Sequence, residues 1–264
     1  MPPSEATLVK QRPYAPLIPL GYTADKKWPL VLVLHGYGGT GPQAIAEMRL
    51  DALQPSAVFV APTGLRDVQG ANAWHPGADH SPYWDVEYLT AILHDVESRY
   101  SIDLTQVFVI GHSQGAHMAH RMGCDAANEV VALVSSAGQV TKVPSGCMPA
   151  RAVSVLQVHG DADESIGYYG DVQHDPPDPT VPSAHETVAV WARNDGCTGA
   201  ITLTPRTLDL DSRIAGAETI VEAYQGCPPG ISVELWTMKG VGHNPAATPD
   251  FAPSLFSFLT AHPR

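Results

Sequence analysis

The sequence predicts an α/β fold in which a mostly parallel central sheet carries helices on both faces. Short apolar runs rich in β-branched residues recur along the chain, and stretches with helical spacing lie between several of them. Strands that are covered by helices on both faces are continuously apolar rather than alternating, and these runs have that character. The 264 residues, of which 44% are hydrophobic, are enough to bury the core that such a sheet needs.

Six apolar runs are the predicted strands. The first, residues 29–34 (PLVLVL), is the clearest, because it is uninterrupted and ends at a His-Gly pair. The others are residues 57–61, 106–110, 130–135, 152–158 and 232–238. In a parallel sheet the carboxyl ends of the strands share one edge, and ligands bind there. We therefore expect functional residues in the segments that directly follow these runs.

Helical spacing is clearest in residues 85–100, where apolar side chains recur at every third or fourth position. The sequence SAHE at residues 183–186 is typical of a capping box and predicts the start of another helix. Residues 167–182 contain four prolines, so we expect a loop, either a lid or a plain surface excursion. Residues 1–28 are rich in proline and predicted to be irregular, and residues 29–264 are predicted to form a single domain.

The charge balance argues against two classes of partner. The chain has 15 basic and 27 acidic residues and a net charge of −12. Binding to a nucleic-acid backbone or to anionic lipid requires the opposite sign, so we expect neither. The longest uninterrupted apolar run covers only residues 30–34, which is far too short to span a membrane. The sequence gives no signal of oligomeric state.

The cysteines Cys124, Cys147, Cys197 and Cys227 include no CxxC pair, so zinc-type spacing is absent. Their even number at long intervals favours two disulfides over four buried thiols, and all three pairings stay open. Disulfides persist in oxidising compartments, so we expect a secreted or periplasmic protein. The opening sequence MPPSEATLVK lacks the apolar segment of a signal peptide, and we expect the export signal to be missing from this sequence.

The strongest functional motif is GHSQG at residues 111–115. It directly follows the predicted strand 106–110 and precedes a helix-like stretch, residues 116–122. A G-x-S-x-G turn at such a junction strains the backbone of the central residue and requires very small flanking side chains, which the two glycines provide. The turn would lift the serine hydroxyl clear of the sheet. We identify Ser113 as the candidate nucleophile, in preference to a purely structural turn residue.

A serine hydroxyl is a weak nucleophile and needs a base that is itself held by an acid. In enzymes with this turn, the acid and the histidine follow the serine in that order, each in a loop after a later strand. The predicted strand 152–158 is followed by Asp161, Asp163 and Glu164, and Asp161 is also suited to capping the turn. The last predicted strand is followed by His243 in a glycine-containing loop. We expect His243 to be the base rather than an exposed loop histidine.

Acyl chemistry at this serine also requires hydrogen-bond donors for a negatively charged oxygen. The first candidate is the backbone amide of Gln114, directly after the serine. The second lies in the glycine-rich loop HGYGGTG at residues 35–41, where Tyr37 is the first choice and Gly38 the next. This loop lacks the Gly-Lys-Ser/Thr ending of a phosphate-binding loop, so a nucleotide site is disfavoured.

Trp74 and Tyr168 lie beside the predicted site loops. We expect them to contact substrate, although aromatic side chains more often pack in a core. His117 and His120 are three residues apart on the predicted helix after the serine, which is a possible spacing for a metal pair. No third ligand has a fitting spacing, and packed or solvated histidines are the better interpretation. We expect neither a metal nor an organic cofactor.

Five segments resemble the secreted α/β-hydrolase esterases related to polyhydroxybutyrate depolymerases and bacterial feruloyl esterases. The segments are LVLHGYGG, SIDLTQVFVIGHSQGAHMA, QVHGDAD, WARNDGC and GVGH, and the resemblance runs from about Trp28 to the end of the chain. It implies the α/β-hydrolase fold, and it places the acid at Asp163, the aspartate of the HGxxD segment. It also implies disulfides between Cys124 and Cys147 and between the other two cysteines, Cys197 and Cys227.

Two segments depart from the usual depolymerase pattern. Asn244-Pro-Ala-Ala follows the last motif histidine where Trp-Pro-Gly is common, and the glycine-rich loop reads HGYGG instead of HGCTQ. These departures concern specificity for polymers and leave ester hydrolysis untouched.

We therefore expect a serine carboxylic ester hydrolase that uses Ser113, His243 and Asp163 and forms an acyl-enzyme. The expected substrates are small or oligomeric esters, such as hydroxyalkanoate or feruloyl esters. Two alternatives stay open: acyl transfer or peptide cleavage by the same three residues, and a hydrolase-fold binding protein without catalysis.

Overall fold

The computed structural model describes residues 1–77, 82–140, 146–170 and 182–264. Within these ranges the strands are β1 (Pro16–Leu17), β2 (Trp28–Leu34), β3 (Val58–Val60), β4 (Leu65–Arg66), β5 (Asn72–Ala73), β6 (Ile102–His112), β7 (Ala132–Ser136), β8 (Ser154–Gly160), β9 (Ile201–Leu208), β10 (Thr219–Tyr224) and β11 (Val233–Met238). The helices are α1 (Glu5–Gln11), α2 (Gly41–Glu47), α3 (Asp85–Arg99), α4 (Gln114–Asp125), α5 (Ala184–Asn194) and α6 (Phe251–Thr260), with a 3₁₀ helix at Leu50–Leu53.

Across the described residues, the main sheet has nine strands in the order β1-β3-β2-β6-β7-β8-β11-β10-β9. The six strands from β3 to β11 in that order are parallel to their neighbours. At one edge β1 pairs antiparallel with β3, and at the other β10 and β9 continue the sheet as antiparallel strands. This mostly parallel sheet confirms the predicted fold class, the α/β-hydrolase fold.

Alternate residues of the central strands point into two separate cores. On β2, Leu30, Leu32 and Leu34 join a cluster that includes side chains of α1, α3, α4 and α5. Val31 and Val33 point to the opposite face, where they join side chains of α2, the 3₁₀ helix and α6. Both faces are therefore covered by helices, which explains why the strand reads as an uninterrupted apolar run. Burial of both faces also fixes the register, since a slip of one residue would exchange the two cores.

The parallel arrangement brings the carboxyl ends of four strands to one edge of the sheet. The segment with Tyr37 follows β2, Ser113 follows β6, Asp163 follows β8 and His243 follows β11. In the sheet, β7 lies between β6 and β8. Segments that are far apart in the sequence thus meet at one place, as the sequence predicts for a parallel sheet.

The first 28 residues correct one expectation. They are not irregular throughout, because they contain α1 and β1, and β1 extends the main sheet. The segment is held by tertiary contacts: Leu8 is buried in a core cluster, and the buried side chain of Arg12 forms a 2.7 Å ion pair with Asp85. A helix of seven residues is marginal on its own, so its stability comes from packing that local sequence does not reveal.

The structure joins Cys124 to Cys147 and Cys197 to Cys227, which is the pairing that the resemblance implies. The first disulfide connects the last turn of α4 to the segment before β8. The second connects the turn after α5 to the turn after β10. Both lie outside the central sheet and connect helices or edge strands to neighbouring loops.

Among the described helices, none is both long and apolar enough to cross a membrane. Most of the predicted loop 167–182, namely residues 171–181, lies outside the described residues, so its expected role as a lid or surface loop stays a prediction.

We expect the protein to take up no iodoacetamide when it is denatured without reductant, which exposes any buried thiol, and four labels after denaturation and reduction. Reduction should also lower the midpoint of thermal unfolding, because each disulfide closes a loop of 23 or 30 residues, worth about 3 kcal/mol by chain entropy. Intact-mass spectrometry counts the labels. Two labels on the denatured, unreduced protein would contradict one disulfide, and four labels would contradict both.

Candidate active site

Ser113 lies at a sharp turn between the end of β6 and the start of α4. Its backbone has a φ of 56° and a ψ of −122°, a conformation that residues other than glycine rarely adopt. The turn is possible only because its neighbours are small. A Cβ added to Gly111 would lie 2.0 Å from the carbonyl oxygen of Gly115, and one added to Gly115 would lie 2.3 Å from the Leu34 oxygen. These contacts are the physical reason for both glycines of the motif.

Gly138, which lies two residues after the end of β7, supports the same turn. Sequence reasoning missed this residue. A Cβ at this position would lie 2.6 Å from the carbonyl oxygen of Ser113. The neighbouring Ala137 has a positive φ of 54°, and the Ser113 amide donates to the Ser136 carbonyl at 2.8 Å. The segment after β7 is therefore shaped around the serine. Its sequence signal was a glycine three residues after the predicted strand 130–135, which is common in loops and points to no particular partner.

His243 lies between Ser113 and Asp163 and contacts both. Its Nε2 is 2.9 Å from Ser113 Oγ, and its Nδ1 is 2.8 Å from Asp163 Oδ2. The aspartate side chain is fully buried, whereas 15% of the histidine side chain is exposed. The structure thus brings together the three residues that the sequence singled out. A proton on the serine oxygen has an acceptor in place, and the carboxylate holds the other ring nitrogen.

Asp163 sits in a site that favours its charged form. Burial raises the pKa of its carboxyl group, but hydrogen bonds from His159, His243 and the Ile166 amide outweigh this effect and hold the pKa below its ordinary value. The amides of Ser165 and Ile166 both donate to Oδ1 at 2.8 Å. A carboxylate with this many donors stays ionised and keeps a fixed orientation.

The two alternative acids are placed elsewhere. Asp161 accepts the amide of Gly240 at 2.6 Å and pairs with Lys239, so it fastens the loop after β8 to the loop after β11. This is the turn-capping role that the sequence allowed. Glu164 is exposed. Of the three carboxylates in this loop, Asp163 is the one that contacts His243.

Two side chains extend the site beyond the three predicted residues. His112 Nε2 lies 3.2 Å from Asn244 Oδ1, and the rings of His112 and His243 are 5.1 Å apart between centroids. Burial and the nearby His243 lower the pKa of His112 to about 4. The ring is therefore neutral near pH 7, and its Nε2–H donates to Asn244. The pair links the residue before Ser113 to the residue after His243.

The loop after β2 approaches the serine closely. A Cβ on Gly36 would lie 3.2 Å from Ser113 Cβ. The amide of Gly38 donates to the Asn72 carbonyl at 2.8 Å, so this second candidate donor is already engaged. Gln114 is the first residue of α4, and amides in the first turn of a helix have no carbonyl within the helix to which they can donate. Of the predicted oxyanion donors, Gln114 and Tyr37 therefore stay the better candidates.

Trp74 and Tyr168 are both buried, with 1% and 4% of their surfaces exposed, and their contact with substrate stays a prediction. Trp74 makes hydrogen bonds to two segments of the site. Its indole donates to the His35 carbonyl at 3.1 Å, and its amide donates to the Gln114 side chain at 2.9 Å. The Tyr168 hydroxyl lies 2.7 Å from Thr237 Oγ1.

His117 and His120 have separate partners. His117 Nδ1 lies 2.6 Å from the Gln139 carbonyl, whereas His120 lies between the side chains of Gln157 and Trp191. Both histidines are thus satisfied by protein groups, in line with the interpretation as packed residues.

A cavity of about 470 Å³ borders the candidate site on the side of α2 and α6. His112 and Asn244, which are next to Ser113 and His243 in the sequence, form part of its wall. The wall also contains Ala46, Arg49, Ala247 and Phe251. This mixture of polar and apolar side chains is typical of small-molecule sites. Sequence reasoning missed the cavity, because its wall comes from five segments that meet only in the fold.

A profile of the phospholipase/carboxylesterase family matches residues 22–174, more than half of the chain. The chain belongs to this family. The matched region contains the loop after β2, Ser113 and Asp163, whereas His243 lies beyond it.

Individual relatives agree with this assignment. Feruloyl esterase B of Piromyces equi is 28% identical over 234 residues, which cover 85% of this chain and 41% of that protein. Feruloyl esterase C of Emericella nidulans is 29% identical over 175 residues, 62% of this chain and 59% of that protein. The chain thus spans less than two thirds of either relative. Acetyl xylan esterase from Aspergillus awamori superposes with a TM-score of 0.62 at 16% identity and 93% coverage of both chains, which shows the shared fold.

Proposed function

We propose that this protein hydrolyses carboxylic esters through Ser113, His243 and Asp163. The observation that carries the proposal is the unbroken contact from Asp163 Oδ2 to His243 Nδ1 at 2.8 Å and from His243 Nε2 to Ser113 Oγ at 2.9 Å. Membership of the phospholipase/carboxylesterase family supports the same reaction class.

In the first half of the reaction, Ser113 Oγ attacks the ester carbonyl carbon while its proton passes to His243 Nε2. The new bond turns the carbonyl oxygen into an oxyanion. The resulting imidazolium is stabilised by the charged, buried carboxylate of Asp163. His243 then gives its proton to the leaving alcohol oxygen, the ester bond breaks, and an acyl-serine remains.

In the second half, a water molecule attacks the acyl-serine carbonyl while His243 takes one of its protons. Collapse of the second oxyanion breaks the bond to Ser113, and the proton returns to the serine oxygen as the carboxylic acid leaves. In both halves His243 accepts the proton and then returns it. We propose that the reaction uses no metal or organic cofactor.

We propose that the backbone amides of Gln114 and Tyr37 hold the oxyanion in both halves. Gln114 lies at the N-terminal end of α4, where the helix dipole also favours negative charge. The Trp74 amide bonds to the Gln114 side chain, and the Trp74 indole bonds to the loop that carries Tyr37. The buried tryptophan thereby connects the side chain of one proposed donor residue to the loop of the other, which suits a site whose dipoles must be oriented before reaction.

We propose that the substrates are small or oligomeric esters whose acyl or alcohol part occupies the cavity beside His112 and Asn244. The printed names of the relatives point to feruloyl esters as the first class to test, with hydroxyalkanoate esters as the second. We further propose that residues 29–264 form one catalytic domain on which residues 1–28 are packed. The two disulfides support export to a secreted or periplasmic location, and the labelling experiment above tests their presence.

Ser113→Ala should lower kcat for p-nitrophenyl butyrate hydrolysis by roughly 10⁴-fold or more, because it removes the atom that forms the acyl bond. Ser98→Ala, an exposed serine on α3, is the matched control and should retain the full rate. For the wild type, kcat/KM should fall on the acid side as His243 takes up a proton, since the pKa of Asp163 is held too low for this carboxylate to titrate there. Equal rates in the wild type and Ser113→Ala would sink the proposed mechanism.

Ala46→Trp should test the cavity, since Ala46 is exposed at its rim and an indole there would occupy part of the space. We expect kcat/KM for a feruloyl ester to drop about tenfold, while p-nitrophenyl acetate, which has a far smaller acyl group, is hydrolysed at the wild-type rate. Gln43→Trp places the same side chain on the same helix outside the cavity wall. Uniform loss for both esters, or no loss for either, would show that the cavity does not bind substrate.

A further inference from the structure

A line of buried hydrogen bonds runs from helix α5 to the candidate active site. The Trp191 indole Nε1 lies 2.9 Å from His120 Nδ1, and His120 Nε2 lies 3.1 Å from Gln157 Oε1. Gln157 Nε2 in turn lies 3.3 Å from His159 Nδ1. At most 1% of the surface of any of these four residues is exposed. Trp191 is on α5, His120 on α4, and the other two are on β8.

The direction of the first two hydrogen bonds follows from chemistry. An indole N–H can only donate, so His120 Nδ1 must be the acceptor and carries no proton. Burial lowers the pKa of His120 to about 3, so the ring is neutral, and its one proton is on Nε2. That N–H donates to Gln157 Oε1. The tryptophan therefore sets the tautomer of the histidine.

The orientation of the Gln157 amide sets the next tautomer. With Oε1 facing His120, the NH₂ group faces the other way and donates to the Gly138 carbonyl at 2.8 Å. Its second N–H points toward His159 Nδ1, which must then be an acceptor. The proton of the neutral His159 ring is therefore on Nε2. Gly138 is the residue that packs against the Ser113 carbonyl, so the same amide also contacts the segment that supports the serine.

His159 delivers the last hydrogen bond of the line. Its Nε2 lies 2.9 Å from the Ile166 carbonyl and 3.1 Å from Asp163 Oδ2. This is the same carboxylate oxygen that His243 Nδ1 contacts. Asp163 Oδ2 thus contacts two imidazole groups, one in the proposed triad and one outside it.

We propose that His159 is a positioning residue for Asp163, held in the required tautomer by Gln157, His120 and Trp191. The proposal rests on the proposed function, because it assigns His159 a role in the hydrolysis by Ser113. The side chain acts through the carboxylate and contacts no reacting atom. The His159 N–H holds Asp163 Oδ2 in line with His243. It also offsets part of the negative charge that the carboxylate presents to the His243 ring.

His159→Met removes the N–H but fills a similar volume, and His159→Gln restores an N–H donor near the position of Nε2. We expect His159→Met to lower kcat for p-nitrophenyl butyrate about tenfold with little change in KM, because a charged acceptor loses one donor. His159→Gln should recover most of the rate. Tyr88→Phe is the matched control: it removes a buried hydroxyl on α3 that donates to the Arg12 carbonyl, outside the line, and should leave kcat unchanged.

The pH profile separates positioning from simple support of the fold. A carboxylate with one donor fewer attracts the His243 imidazolium more strongly, so His243 keeps its proton to higher pH. The acid limb of the kcat/KM profile should therefore move to higher pH in His159→Met and return in His159→Gln. Among the described residues, the titratable groups that contact the His243 ring are Asp163 and His112, and neither is altered. A merely structural His159 would lower thermal stability without moving this limb.

Long-range ¹H–¹⁵N spectra of the imidazole side chains test the line without using activity. We expect His120 and His159 to be neutral at pH 7 with the proton on Nε2. A proton on Nδ1 of His159 would overturn the proposal. Wild-type hydrolysis that is lost in Ser113→Ala, together with an unchanged kcat and acid limb in His159→Met, would refute the positioning role and leave the proposed function standing. Loss of the Ser113 dependence itself would refute the proposed function instead.

Discussion

The backbone at Ser113 is the constraint on which the rest of the site depends. A serine held at positive φ costs about 1–3 kcal/mol and persists only where the surroundings determine it. Three glycines form those surroundings: Gly111 on β6, Gly115 on α4 and Gly138 two residues after β7. A Cβ on any of them would collide with backbone or with a methyl group. The parallel sheet therefore does more than gather loops at one edge. It brings three chain segments close enough to force the serine into the one conformation that presents its hydroxyl to His243.

The second constraint is electrostatic. A fully buried carboxylate is costly unless its lone pairs are satisfied, and Asp163 meets that condition through two amides and two imidazoles. The donors come from its own loop, from β8 and from the loop after β11, so the charge fastens those segments to one another. Asp161 makes a second fastening between the same two loops, through Gly240 and Lys239. The loop that carries His243 is thus held at two points, which fixes the ring between carboxylate and hydroxyl.

The sequence predicts the features whose signals are local. The central strands are continuous apolar runs, α5 begins with the predicted capping box at residues 183–186, and the G-x-S-x-G motif lies at a strand–helix junction. Other features depend on contacts between distant segments. Strand β9 is mostly exposed and reads as polar, and α1 is stabilised by packing. The burial of Trp74 against the loop after β2 and the closeness of Gly138 to the serine each depend on a partner more than 20 residues away, and no local pattern reports them.

The most direct test of the central claim is the position of a covalent adduct. The protein is treated with diisopropyl fluorophosphate, digested and mapped by mass spectrometry. The account predicts one phosphoryl group per chain on the peptide that contains Ser113, because this hydroxyl has a base 2.9 Å away and a strained backbone that exposes it. An adduct on a different residue, or hydrolysis of p-nitrophenyl butyrate by protein that remains unlabelled, would contradict Ser113 as the nucleophile.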